Sequence, residues 1–213
     1  MGYARTLAVV TIFASAMGYL EAAVVVYLRA IYYPGGFSFP LAEFSPHIIR
    51  VELAREAATV VMLAAVSSLA GRSVRERFAW FILAFGVWDI VYYAGLKVVL
   101  GWPASLFDPD ILFLIPVVWV GPVIAPVLVS AEMIVIGALL AFRMRRGGLF
   151  RPGATAWVPA VAATALILFT FFRDADAAAG RALPGPYPYP LLAAGLALYA
   201  LAYAAAIRKR ERG

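Results

Sequence analysis

Long apolar stretches broken by short polar or proline-rich connections run the length of this chain, and several apolar stretches carry isolated ionisable residues. A bilayer-spanning helix needs ~20 predominantly apolar residues, and that requirement marks six segments. They fall near residues 6–30, 48–70, 78–100, 111–143, 154–173 and 188–207. The pattern predicts an all-α fold: a polytopic integral membrane protein whose single membrane-embedded helical domain covers 1–213. Arg5, the apolar run Thr6–Phe13 and Ala14-Ser15-Ala16 resemble a short signal peptide. The run continues to about Tyr27, however, so a retained first span is expected.

The fourth segment is too long for one span. At 1.5 Å per residue its helix would reach ~50 Å against a ~30 Å hydrocarbon core, so the segment has to break. Pro116, Gly121, Pro122 and Pro126 are the breaking points, because proline removes a backbone donor and clashes with the preceding turn. The expectation is an outer piece from about Asp110 to Val120, at the interface or re-entrant, with the span proper starting near Pro122. Irregular backbone at membrane depth survives only against protein or a water-filled cavity, so the break also points to a pocket.

Composition agrees with the pattern: 64% of residues are hydrophobic and 14% charged, with a mean hydropathy of +0.89. A soluble fold cannot hide that much apolar surface. The net charge of +6 does not indicate nucleic acid, because the basic residues sit in short clusters between spans. Arg5, the cluster Arg72, Arg75 and Arg77, the cluster Arg143, Arg145, Arg146 and Arg151, and the terminal Arg208, Lys209, Arg210 and Arg212 mark one side. By the positive-inside rule that side is cytoplasmic, with both termini in the cytoplasm and the protein in the inner membrane. The alternate connections carry Asp108 and Asp110, a mixed set around Arg173–Arg181, and Pro, Gly and aromatic residues. Those connections form an aromatic belt or a semi-rigid lid on the outer side. With no cysteine and one histidine, His47, thiolate metal sites, disulfides and bis-histidine haem are excluded. No cofactor and no metal site are expected, since no aspartate-rich motif of established spacing is present.

The chemistry lies in the intramembrane charges, which are costly in hydrocarbon unless paired or facing water. Glu52, Arg55 and Glu56 share one helix face with Thr59, and Asp89, Tyr93 and Lys97 form a second stripe at four-residue spacing. Glu21 and Arg29 on the first segment and Arg50 at the start of the second lie at similar depth. Glu132, near the middle of the fourth segment, joins them only if that segment starts at Pro122. Glu52, Glu56 and Asp89 are the candidate catalytic carboxyls, as carboxylic acids at low dielectric can serve as general acid or base. Glu21, Arg29, Arg50, Arg55, Tyr93 and Lys97 are the candidate substrate contacts, with Arg55 suited to a phosphate or carboxylate. All lie in the outer half of the bundle, which suits binding of, or action on, a lipid-like or small amphiphilic molecule. A transporter needs access from both sides, and an accessory subunit needs only an ion-pair network that locks helices. Membrane lipids are the expected partners, with no nucleic acid. Small residues such as Gly195 on the last segment suit close packing within the bundle or in a homo-oligomer.

Overall fold

The computed structural model describes residues 2–148 and 152–208, so Arg151, Lys209, Arg210 and Arg212 lie outside the described residues. In chain order the elements are α1 (Tyr3–Tyr32), α2 (Pro46–Ala70), α3 (Val74–Leu100), β1 (Pro109–Phe113), β2 (Trp119–Pro122), α4 (Ile124–Arg145), α5 (Ala154–Phe172), α6 (Ala175–Ala179) and α7 (Tyr189–Arg208). Among the described residues six helices are long and apolar enough to cross a membrane: α1 to α4, the α5–α6 stretch and α7. Their outward faces are apolar, with Leu69 89% and Val98 84% exposed, a surface that suits lipid and not water.

Local signals account for the helix ends. Ser45 and Ser73 cap α2 and α3, accepting from the Ile48 and Glu76 amides, and Pro46 opens α2 where no amide donor is needed. Gly101 ends α3 with φ of 68°, a left-handed conformation that is strained for any residue with a side chain.

The chain departs from an all-helical reading between α3 and α4. Residues 109–122 form an antiparallel hairpin that pairs Asp110 with Gly121 and Ile111 with Val120, with an irregularity between Ile111 and Phe113. Pro109, Pro116 and Pro122 interrupt helical bonding, while Val117, Val118, Trp119 and Val120 favour extended backbone. The loop before the hairpin caps α4 in place of a side chain, for Val123 and Ile124 donate to the Asp108 and Leu106 carbonyls at 3.0 and 2.7 Å.

α3 is the central helix and packs on α1, α2 and α4, whereas α5 and α7 pair with each other and meet the rest through β2 and α4. The main core joins Val10, Ala14 and Met17 of α1, Leu63 of α2, Trp80 and Leu83 of α3, and Leu140 of α4. Glycines allow the close approach of α3 to its neighbours, Gly18 and Gly86 among them. A Cβ on Gly18 would lie 2.5 Å from the Trp88 carbonyl, and one on Gly86 would lie 2.5 Å from that of Ser130. Both contacts flank Asp89, so helix spacing and the position of that carboxyl are set together.

Overpacking of a tight contact costs roughly 1–3 kcal/mol. Gly18→Ala and Gly86→Ala should therefore each lower the thermal midpoint in detergent, whereas Gly35→Ala, whose Cβ would meet nothing within 4 Å, should leave it unchanged.

Candidate functional site

A cavity of about 380 Å³ opens at the hairpin end of the bundle, between α1, α2, α3 and β1. Its α1 wall is the stripe Glu21, Val25, Leu28 and Arg29, which one helix face presents at spacings of four, seven and eight. The α2 wall is Ile49, Glu52, Arg55 and Glu56, and α3 contributes Trp88, Asp89 and Tyr92. Residues 110–114 and Val118 of the hairpin close one side, and the loop after α1 closes another with Tyr33, Phe37, Leu41 and Phe44. Five charges expected to converge, on Glu21, Glu52, Arg55, Glu56 and Asp89, do share this one cavity.

The charges are unevenly partnered. Arg55 donates through Nε to Glu52 at 3.0 Å, through a second nitrogen to the same carboxylate, and through its third to Glu21. Thr59 donates to the other Glu21 oxygen at 3.4 Å. The guanidinium suited by sequence to a phosphate or carboxylate ligand is thus already occupied by two carboxylates of the protein. Glu56 accepts only a neutral bond, from the Leu114 amide at 3.0 Å, and Asp89 accepts only from the Ser130 hydroxyl at 2.8 Å. Neither carboxyl is within ion-pair distance of a cation among the described residues.

Arg29 and Asp110 form a second ion pair at 2.9 Å, both almost fully buried. The Arg29 guanidinium lies 3.7 Å from the Trp102 ring centre and 4.4 Å from that of Phe37, in the corner of two nearly perpendicular rings, a cation–π arrangement. Tyr93 donates to the other Asp110 oxygen at 3.3 Å. Burial pushes the Asp110 carboxyl up, to about 7, against the pull of Arg29, the Ile111 amide and Tyr93.

Other candidates lie elsewhere. Tyr93 touches the network through Asp110 but is not part of the cavity wall. Arg50 is exposed. Lys97 is exposed and donates to the Gly101 and Pro103 carbonyls at 3.1 and 2.7 Å, tying down the loop after α3. Glu132 is half-buried on α4 and outside the cavity, one of its oxygens without a partner. The connection between α5 and α7 is divided: Ala178, Ala179 and Arg181 line the cavity, whereas Pro184, Gly185, Tyr187 and Tyr189 line a separate cleft of about 200 Å³ against Phe107 and β2.

Sequence reasoning missed two buried carboxylates. Asp110 was placed in an outer loop, because nothing local indicates that hairpin pairing turns it inward. Glu76, at the opposite end of the bundle, accepts from the Arg72 amide at 3.0 Å, the Trp80 indole at 3.3 Å and Arg145, whose guanidinium also donates to the Ala70 carbonyl at 2.7 Å. The spacing Ser73-x-x-Glu76 matches a capping box and was the available signal. Comparison with known protein families, curated proteins and solved structures finds no match, so function is argued from geometry alone.

The two kinds of carboxyl should respond differently to neutralisation. Glu76→Gln leaves Arg145 facing a neutral partner in a buried setting and should cost up to about 3–5 kcal/mol. Glu56→Gln and Asp89→Asn keep an oxygen for the Leu114 amide and the Ser130 hydroxyl, so each should cost about 1 kcal/mol or less. Thermal midpoints of the three variants in one detergent check the ranking.

Proposed function

We propose that this protein lies in the cytoplasmic membrane with both termini inside and the hairpin end outward, and that its cavity binds the polar head of a lipid-like or small amphiphilic molecule. The observation that carries the reading is one cavity with charged and apolar walls side by side. Glu56, Asp89 and the Arg55 network meet a head group, while Val25, Leu28, Ile49 and Phe44 meet an alkyl chain. A mostly apolar wall with a few polar groups is the ordinary build of a small-molecule site. α2 packs chiefly on α3 and much less on α1, so the α1–α2 side is where a chain can pass from lipid into the cavity. Glu56 and Asp89 are ionisable groups next to the head, and acid–base chemistry on the bound molecule would use them.

The packing below the cavity favours binding from one side over transport. Between Asp89 and the Glu76 end, the interior is filled by Val10, Ala14, Met17, Leu63, Leu83 and Leu140, and alternating access needs a path through that region. Arginine placement supports the proposed orientation: Arg72, Arg75 and Arg77 lie by the α2–α3 turn, and Arg143, Arg145 and Arg146 at the end of α4.

Two measurements test the proposal. A cysteine at exposed Ala104 should react with a membrane-impermeant thiol reagent in intact cells and one at Arg75 should not; the reverse result inverts the orientation. Val25→Trp fills the cavity from α1, and native mass spectrometry should show it losing the amphiphile that the wild-type protein retains. Equal retention by both would place the ligand elsewhere and sink the reading.

A further inference from the structure

Resting on the proposed cavity reading, the charge balance of its walls identifies the head group. Six carboxyls line the cavity, from Glu21, Glu43, Glu52, Glu56, Asp89 and Asp110, against three guanidiniums, from Arg29, Arg55 and Arg181. Each guanidinium already has a carboxylate partner: Arg29 holds Asp110, Arg55 holds Glu21 and Glu52, and Arg181 meets Glu43 at 2.9 Å. A purely anionic head would find no unengaged cation and would face Glu56 and Asp89. A cationic nitrogen would complete both carboxylates.

A second observation is independent of the acidic excess. The rings of Trp88, Tyr92 and Phe44 in the same walls suit a positively charged nitrogen.

We infer that the cavity takes an amphiphile whose head group carries a positively charged nitrogen, held at Glu56 and Asp89 among the rings of Trp88, Tyr92 and Phe44. Such a head is an amine or a quaternary ammonium. It matches the wall on both counts, the acidic surplus and the aromatic rings, which neither a simple anion nor a neutral sugar does.

Three probes sharing a dodecyl chain separate the parts of this claim: dodecylphosphocholine, dodecyltrimethylammonium and dodecyl phosphate. Each is added at the same mole fraction to the protein in dodecyl maltoside, and binding is read by native mass spectrometry and thermal shift. Dodecyltrimethylammonium should bind tightest and one per chain, dodecylphosphocholine more weakly because its phosphate meets no unengaged cation, and dodecyl phosphate weakest, by about tenfold or more, the scale of one charge-assisted contact. The Glu56→Gln, Asp89→Asn double variant should weaken both nitrogen probes by a similar factor and abolish the discrimination against dodecyl phosphate. Dodecyl phosphate binding as tightly as dodecyltrimethylammonium overturns the inference. The wild-type ranking decides the point even where the double variant fails to fold. Loss of dodecyl phosphate binding in Val25→Trp would then keep the cavity and discard the head-group assignment, whereas probe binding that ignores Val25→Trp would discard the cavity itself.

Discussion

The buried ion pair between Arg29 and Asp110 joins the end of α1 to the hairpin, and the cavity exists because the hairpin stays where this pair holds it. Moving both charges out of water carries a desolvation cost that their attraction offsets only when geometry and further bonds are good. Here the guanidinium packs in the corner formed by the Trp102 and Phe37 rings, and the carboxylate also accepts from Tyr93. With Asp110 fixed, Ile111 to Leu114 become a cavity wall and the Leu114 amide reaches Glu56 on α2. One pair thus links α1, β1 and α3 directly and α2 through the strand it positions.

The two ends of the bundle use the same residue types to different effect. At the α2–α3 turn, Glu76 is enclosed by a guanidinium, an indole N–H and a backbone amide, and the surrounding helices close on it. A fully satisfied buried network rigidifies its neighbourhood. At the hairpin end, all three Arg55 nitrogens are engaged by carboxylates, while Glu56 and Asp89 each retain a single neutral partner and open space. The number of ionisable groups does not separate scaffold from site in this molecule. The degree to which their partners are used up does.

Much of this was legible in the sequence because spans and helical phase are one-dimensional signals. Six apolar stretches gave six long helices, and the offsets 52, 55, 56 on α2 and 21, 25, 28, 29 on α1 put their polar residues on inward faces. Phase does not say which inward-facing group meets which, so Arg55 read as a ligand contact when Glu21 and Glu52 occupy it. Nor does it carry across a chain reversal. Asp110 and the extended backbone of 109–122 depend on strand pairing between residues that no helical period relates, and Lys97 continues the Asp89 stripe in phase yet turns to the carbonyls of its own loop.

The position of Asp89 shows how fold and chemistry are joined. Gly18 and Gly86 let α1 and α4 close on α3 on either side of it, so the carboxyl sits at the floor of the cavity with Ser130 brought within bonding distance. A larger residue at either glycine would widen the spacing and loosen that one bond. The closeness of the helices below also removes any open path onward from the floor, since Leu83 and Leu63 fill the next layer. Tight packing beneath a carboxyl that lacks a cation leaves only one direction from which a countercharge can arrive, and that direction is the open cavity.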